Sequence, residues 1–263
     1  FELTFKEFQE LKKIANKKKL FFISTPLDIK SANFLKTNSD LIKIASSDNN
    51  FFPLIDNVIK SKKKIILSTG MTNFKQIKLI ISYLENKIGK KKLKNNLCLM
   101  HCVSSYPVED KYANLMSVPF LISKTDYTIG YSDHTIGSTG CIGAVALGAK
   151  VIEKHFTIDK KFSKFRDHSI SADYEELKNI VINIKKMQNQ LGTFKKIILK
   201  PEKKILKSVR RSAFSRHKIK KDEVITTSNI KFLRDESKKD FLNLRDFVGK
   251  KLKKKISSNK ILN

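Results

Sequence analysis

The stretch YTIGYSDHTIGS, residues 127–138, contains a clear indication of the fold. Its first half reads as a buried β-strand, and its second half changes to polar residues that include His134. A second apolar run, VIEKHFT at residues 151–157, ends in the same manner with His155. In parallel α/β sheets and barrels, the carboxyl ends of the strands line the site. The pattern therefore predicts two strands that end at a common site.

The same alternation recurs along the chain before residue 195. Six β-like runs are each followed by a stretch typical of a helix. The predicted strands lie in LFFIST, LIKIAS, KKIILSTG, LCLMHCV, YTIGYS and VIEKHFT, and the predicted helices cover residues 29–38, 51–61, 73–88, 113–123, 138–148 and 173–191. Six β/α units in succession indicate a parallel sheet. A closed (β/α)₈ barrel needs eight units, so either the sheet is open or two units are missing upstream of Phe1.

The pattern changes after residue 200. The segment SVRRSAFSRHKIKKDEVITTSNIKFLRDES, residues 208–237, contains short β-like runs and a lysine-rich turn. We therefore predict a partial barrel domain over residues 1–195, a linker over 196–206 and a small second domain over 207–263.

The charge of the chain raises the question of a nucleic-acid partner. The 263 residues include 54 basic and 25 acidic residues, for a net charge of +29. Base reading favours the planar fork of arginine, yet only six of the basic residues are arginines, and the chain has no tryptophan. We interpret the lysines as a compositional bias of the protein surface and predict no specific nucleic-acid partner.

Other features place the chain among soluble globular proteins. The longest apolar run, CIGAVALGAKVI, is too short to span a membrane. No signal peptide is recognisable. The odd set of three cysteines (Cys98, Cys102 and Cys141) is typical of free thiols. We expect a cytoplasmic protein with no membrane association.

Seven segments, in this order and spacing, resemble the sialic acid synthase family, which includes the synthases of legionaminic and related nonulosonic acids. The segments are FFISTPLD, KIASSDNNFFPLI, ILSTGMT, HCVSSYP, GYSDHT, EKHFT and RDHSISADYEEL. The tail from Arg210 resembles the C-terminal antifreeze-like (SAF) domain of that family. The similarity spans essentially the whole chain.

The resemblance implies a TIM-type (β/α) barrel followed by a small SAF (β-clip) domain. In the family, the first two barrel strands contain a glutamate and a lysine that binds phosphoenolpyruvate (PEP), and nothing in this chain matches those strands. We therefore expect an N-terminally incomplete barrel of about six units, inactive as given. The resemblance also implies a domain-swapped homodimer.

The family condenses PEP with an N-acetylmannosamine-type aldehyde, releasing phosphate by C–O cleavage. The residues that match its PEP site are Thr25, Lys43, Ser46, Ser104 and Ser132. Lys43 lies inside the apolar run LIKIAS, where a solvated lysine is out of character, and a lysine point charge suits phosphate. Ser104 departs from the asparagine that the family commonly has.

The metal site implied by the resemblance consists of His134 and His155, which match two manganese-binding histidines. Water and substrate would complete the coordination of Mn²⁺ or Mg²⁺. By strand parity, Ser132 shares a face with His134 and Glu153 shares a face with His155, which turns both pairs toward the barrel interior. We expect a catalytic group made of His134, His155 and Tyr106.

For the sugar, the resemblance points to Asp48, Tyr106, Asp167 and Arg234. Arg234 matches a tail arginine that reaches the neighbouring subunit's site. In this chain Asp235 and Glu236 follow it, in place of the family's usual continuation. The accepted sugar stays open between N-acetylmannosamine, its 6-phosphate and a 2,4-diacetamido sugar.

Other functions were weighed against this one. Another PEP-dependent sugar-acid synthase would share the barrel and the PEP residues but lack the tail. An inactive fragment would retain only a binding role. An antifreeze or surface-binding function would rest on the tail alone and leave six β/α units unexplained. A nucleic-acid-binding module would need aromatic residues interleaved with arginines, and the 18 phenylalanines are scattered.

Overall fold

The chain divides into two compact units, Phe1–Gly192 and Thr193–Asn263. A computed structural model describes residues 3–163, 166–234 and 247–262. Two sequence-based assignments stay predictions: the boundary at residue 195 and the linker over residues 196–206. Helix α10 (Lys200–Val209) covers part of that linker.

The first unit contains a six-stranded parallel sheet. Its strands are β1 (Ile23–Ser24), β2 (Leu41–Ile44), β3 (Ile65–Ser68), β4 (Leu97–Cys102), β5 (Thr128–Asp133) and β6 (Val151–Lys154). They pair in the order β1-β2-β3-β4-β5-β6, so each strand lies beside its neighbours in sequence. This arrangement confirms the predicted succession of six β/α units, and we call the sheet with its helices the half-barrel.

The two faces of the sheet differ because residues alternate along each strand. In β2, Ile42 and Ile44 are fully buried in the main core, together with helix residues such as Leu54 and Leu84. Lys43, between the two isoleucines, points to the opposite, inner face, where it lines a cavity. The outer face therefore packs against helices, and the inner face is left for a site.

Ten helices of the described residues accompany the strands. They are α1 (Phe5–Lys17), α2 (Ile29–Asn38), α3 (Phe52–Ile59), α4 (Phe74–Ile88), α5 (Lys90–Asn96), α6 (Ser117–Lys124), α7 (Thr139–Ala146), α8 (Arg166–Ile170), α9 (Tyr174–Leu191) and α10. Side-chain caps begin several of them: Asp28 accepts the Ser31 amide at 2.6 Å, and Asn73 and Asp173 begin capping boxes. Such caps satisfy amides that have no partner within the helix.

The helices differ from prediction at the start of one predicted helix and in four helices that were not predicted, α1, α5, α8 and α10. The predicted helix over residues 113–123 begins only at Ser117, because Asn114 adopts a φ of +45° that a right-handed helix does not allow. Helix α1 was not predicted, although Thr4 and Glu7 form a capping box at its start. It packs Phe5 in a stack on Phe34 of α2, with ring centroids 4.1 Å apart.

The second unit contains β7 (Arg211–Ser215) and β8 (Ile230–Arg234), which pair antiparallel. A small core contains Ala213, Ile219, Ile225, Ile230, Leu252 and Leu262. Isolated bridges join Ile219 to Ile256 and Val224 to Lys251. Asp235 and Glu236 lie outside the described residues. None of the helices that the structure describes is both long and apolar enough to cross a membrane.

Candidate active site

Three of the predicted residues line the inner face of the half-barrel. Lys43 Nζ lies 2.6 Å from Glu153 Oε1, and the Ser132 hydroxyl donates to the same oxygen at 2.6 Å. Thr25, which follows β1, lines the same cavity as Lys43 and Glu153, and that cavity measures about 520 Å³. The structure therefore brings Thr25, Lys43 and Ser132 to the inner face, which strand parity predicted for Ser132.

Glu153 is a site residue to which the sequence interpretation gave no role beyond its inward parity. Its burial raises the pKa of the carboxyl, but the charge of Lys43 and the hydrogen bonds from Lys43 and Ser132 lower it more. The net pKa lies below its usual value, so Glu153 is ionised at neutral pH. A carboxylate and an ammonium thus face each other inside the half-barrel.

Ser46 and Ser104 belong to a second group, at the ends of β2, β3 and β4. The Gly70 amide donates to Ser46 Oγ at 3.1 Å, and Ser46 Oγ lies 3.1 Å from Cys102 Sγ. A Cβ atom built on Gly70 would lie 2.4 Å from Ser104 Oγ and 2.7 Å from Ser46 Oγ. Only glycine therefore fits at position 70 while both hydroxyls stay in place, a requirement that the sequence interpretation missed.

The end of β3 adds an unsatisfied hydroxyl to this group. Among the described residues, Ser68 Oγ is one of two buried side-chain polar atoms without a hydrogen-bond partner. The Asn49 side chain donates to the carbonyls of Ser68 and Gly70, both at 3.3 Å, and fixes the backbone there. Buried polar atoms are normally hydrogen-bonded, so the free Ser68 hydroxyl is available for a ligand or water. The motif ILSTGMT contained this residue, but its burial could not be seen from sequence.

Two histidines and a tyrosine form a ring cluster at the ends of β4, β5 and β6. The ring centroids of His134 and His155 are 5.4 Å apart, and Tyr106 lies 4.3 Å from His134 and 5.8 Å from His155. The structure thus brings together all three residues of the predicted catalytic group.

His134 has the protonation state that a metal ligand needs. Its Nδ1 lies 2.8 Å from the carbonyl oxygen of Val103. A carbonyl only accepts, so Nδ1 holds the proton and Nε2 keeps a free lone pair. Burial lowers the pKa of His134, and the neighbouring His155 lowers it further, although the Val103 carbonyl opposes the shift. The residues present therefore fit a divalent ion, with Nε2 of His134 as one imidazole ligand and the neighbouring ring of His155 as a second.

The protein offers few further ligands at this place. Within the described ranges, no group of three or more histidine, cysteine, aspartate or glutamate side chains could hold a metal ion. Two imidazoles leave most coordination positions to oxygen from water or substrate, which suits a hard ion such as Mn²⁺ or Mg²⁺.

The predicted sugar residues lie in different places. Asp167 is in α8, and its charge contributes to the raised pKa of Tyr106, after the larger effect of burial and that of Cys102. Asp48 lies in a 3-10 turn and accepts the Ser47 hydroxyl at 2.8 Å. Arg234 ends β8 in the second unit and is exposed. Asp167 is therefore near the ring cluster, and Arg234 belongs to a unit described separately.

The two other histidines of the half-barrel have local partners. His101 Nε2 lies 3.0 Å from the carbonyl of Ala113, and its ring stacks on Tyr131. His168 Nδ1 lies 2.9 Å from the Thr157 hydroxyl.

Comparison with known proteins identifies the family. The chain is 43% identical over 234 residues to protein MJ1065 of Methanocaldococcus jannaschii, covering 89% of this chain and 68% of the relative. It is 36% identical over 250 residues to the N,N'-diacetyllegionaminic acid synthase of Campylobacter jejuni, covering 95% and 74% of the two chains. The solved N-acetylneuraminic acid synthetase of Leptospira borgpetersenii, in complex with citrate, superposes with a TM-score of 0.71 at 37% identity, over 78% of this chain and 70% of that one. Residues 1–196 match the model of the NeuB family, and the chain therefore belongs to that family.

Proposed function

We propose that this protein condenses PEP with an N-acylmannosamine-type aldehyde to form a nonulosonic acid and phosphate. The observation that supports this most directly is the inner face of the half-barrel, where Lys43 and the hydroxyls of Thr25 and Ser132 lie near the His134, His155 and Tyr106 cluster. The names of the relatives support a synthase of this class.

PEP is held through its charges. Lys43 supplies a cation for the phosphate or carboxylate of PEP, Ser46 and Ser104 supply hydroxyl donors beside Gly70, and the buried Ser68 hydroxyl at the end of β3 is a further donor. Hydrogen bonds to a charged group are stronger than those between neutral groups, and the low dielectric constant of a partly buried site strengthens them further. A bound anion takes the place of the Glu153 carboxylate on Lys43. The Glu153 carboxylate keeps its hydrogen bond from the Ser132 hydroxyl.

The reaction joins two carbon atoms and consumes one water. C3 of PEP attacks the aldehyde carbon of the sugar, water adds at C2 of PEP, and phosphate leaves with cleavage of the C2–O bond. His134 and His155 would hold a divalent ion, which would supply Lewis acidity at the aldehyde oxygen when bound. Tyr106 stays protonated because burial and neighbouring negative charges raise its pKa, so its hydroxyl can donate to the sugar oxygen.

The remaining assignments are proposals of the same kind. Asp48, Asp167 and Arg234 bind the sugar, and Arg234 reaches a neighbouring subunit in a domain-swapped homodimer. Residues 207–263 form a SAF domain, and the protein works in the cytoplasm with Mn²⁺ or Mg²⁺. The two-unit division and the small core of the second unit are compatible with a separate tail domain.

The test is an assay of product formation with three acceptors. Residues 1–263 and the reading frame extended upstream of Phe1 are incubated with PEP, Mn²⁺ and N-acetylmannosamine, its 6-phosphate or a 2,4-diacetamido-trideoxy hexose. We expect the extended protein to release phosphate and form a nonulosonic acid with at least one aldehyde. Phosphate release without a carbon–carbon bond, or no reaction with any of the three, would contradict the proposal.

A further inference from the structure

A buried ion pair lies directly before the two histidines in the sequence, and the proposed chemistry does not use it. Lys154 Nζ lies 2.9 Å from Asp133 Oδ2, and the two side chains are 3% and 0% exposed. The residues are register partners on β6 and β5. Asp133 directly precedes His134, and Lys154 directly precedes His155. The pair therefore joins the two strands immediately before their histidines.

The Asp133 carboxylate accepts from five donors. Its Oδ1 accepts from the Tyr131 hydroxyl at 3.0 Å, from the Thr135 amide at 2.9 Å and from the Thr135 hydroxyl at 2.8 Å. Its Oδ2 accepts from Lys154 and, at 3.2 Å, from the Cys141 thiol. Because the contacts to Thr135 span position 134, the backbone on both sides of His134 is fixed by one carboxylate.

Lys154 reaches the same segment by a second contact. Its ammonium also donates to the carbonyl oxygen of Thr135. One ammonium on β6 thus contacts residues on both sides of His134 in the neighbouring strand. Lys154 therefore adds a side-chain link between the strand that ends at His155 and the segment around His134.

Helix α7 packs closely against the Asp133 carboxylate at Gly140. A Cβ atom at Gly140 would lie 3.0 Å from Asp133 Oδ1 and 3.1 Å from Thr135 Oγ1. A side chain at position 140 would therefore crowd the carboxylate and require a shift of a few tenths of an ångström. Cys141, the next residue, completes the set of donors.

Stability alone does not account for a buried pair at this place. Replacing a buried ion pair by well-packed apolar residues often leaves protein stability unchanged or raises it. A buried ion pair therefore adds little to the stability of a sheet. The Asp133 carboxylate lies directly before His134 in the chain, and its partner Lys154 lies directly before His155, so the pair connects the backbone of both candidate ligands; groups around metal-binding histidines commonly orient them. We propose that Asp133 and Lys154 are positioning residues that set the separation of the His134 and His155 rings, an inference that rests on the metal role in the proposed function.

The experiment compares variants in the whole chain. Lys154→Met removes the charge and keeps a similar volume, and the double variant Asp133→Asn with Lys154→Met avoids leaving a buried unpaired carboxylate. Lys150→Met makes the same exchange at an exposed lysine just before β6. Leu99→Ala lowers the stability of the same sheet at a fully buried core residue. For each, Mn²⁺ affinity is measured from the spin-resonance signal of free aquo-Mn²⁺, thermal unfolding is recorded, and the crystal structure of the Lys154 variant is determined.

We expect the Lys154 variant and the double variant to bind Mn²⁺ roughly 10- to 100-fold more weakly than the parent. Lys150→Met and Leu99→Ala should keep the parental affinity, and the His134–His155 ring separation should leave its 5.4 Å value in the Lys154 variant. Parental affinity in the Lys154 variant, an unchanged ring separation, or an equal loss of affinity in Leu99→Ala would overturn the inference. If the parent itself binds no Mn²⁺, the proposed metal role fails, and the ring separation in the Lys154 variant decides the positioning inference alone.

Discussion

Lys43 on β2 and Glu153 on β6 form an ion pair at 2.6 Å across the inner face of the half-barrel. The two strands are four positions apart in the sheet, and the residues are 110 apart in sequence. The pair places a cation inside the half-barrel together with a carboxylate that compensates its charge. An incoming anion must therefore compete with Glu153 for Lys43.

Replacing Lys43 by Met should weaken PEP binding. The loss of a hydrogen bond to a charged group costs about 1.5–3 kcal/mol, which corresponds to roughly 10- to 100-fold in the dissociation constant. Titration calorimetry with PEP measures this change. Lys64→Met, at an exposed lysine before β3, is the matched control and should bind PEP as the parent does.

The Lys43 variant needs a second comparison because it leaves Glu153 without its counterion. Adding Glu153→Gln should recover the thermal stability lost in Lys43→Met, but not the affinity for PEP. If the double variant bound PEP as tightly as the parent, Lys43 would have no part in binding the anion.

Gly70→Ala should disrupt the hydroxyl group at the ends of β2 to β4. The new Cβ would overlap Ser104 Oγ at 2.4 Å and Ser46 Oγ at 2.7 Å, so at least one hydroxyl must move. We expect PEP affinity to fall several-fold while circular dichroism shows an intact fold. Removing the Ser104 hydroxyl as well, in Gly70→Ala with Ser104→Gly, should recover only part of the unfolding temperature, because Ser46 Oγ still lies 2.7 Å from the new Cβ, and should not restore affinity. A Gly70→Ala protein with parental PEP affinity would show that these hydroxyls do not contact the anion.

Glu153 should make the stability of the half-barrel depend on pH in the acid range. Its folded-state pKa lies below the ordinary value of 4.5, so the unfolded chain binds the proton more readily. The resulting stabilisation is fully present above pH 4.5 and is lost as the pH falls through the folded pKa. Between pH 5 and pH 3, the parent should therefore lose more unfolding free energy than Glu153→Gln, as measured by urea denaturation. If the unfolding free energies of the two proteins fell equally with pH, the lowered pKa of Glu153 would be contradicted.

The charge of the chain predicts only weak binding to DNA. If the lysines are compositional, the net charge of +29 produces association that has no sequence preference and that falls steeply with salt. Fluorescence anisotropy with two unrelated duplexes at low and at physiological salt measures both properties. Nanomolar affinity for one defined duplex at physiological salt would overturn the compositional interpretation.

The sequence predicted the strands well because each is a compact apolar run, and it predicted α2, α4 and α9 to within about one residue because polar caps precede them. It failed for α5, whose sequence KKKLKNN offers a single apolar residue for burial. Lys43 could be identified because a lysine inside LIKIAS is conspicuous. Glu153 could not be identified as the partner of Lys43, because no local sequence pattern links residues that are 110 positions apart. The requirement for glycine at position 70 was equally invisible, because it arises from hydroxyls on two other segments.

The last prediction concerns the metal role of His134 and His155. Imidazole is not the preferred ligand of Mn²⁺, so two histidines with water make an exchangeable site of modest affinity, open to a substrate oxygen. EDTA should abolish condensation by the extended protein, and added Mn²⁺ should restore it. His134→Ala and His155→Ala should each abolish formation of the nonulosonic acid but leave PEP affinity nearly unchanged, because Lys43 and the hydroxyls bind the anion. His217→Ala, an exposed histidine of the second unit, is the control and should keep full activity. A metal-free enzyme that retained its full rate, or a double alanine variant that still joined the two substrates, would return both histidines to a structural role.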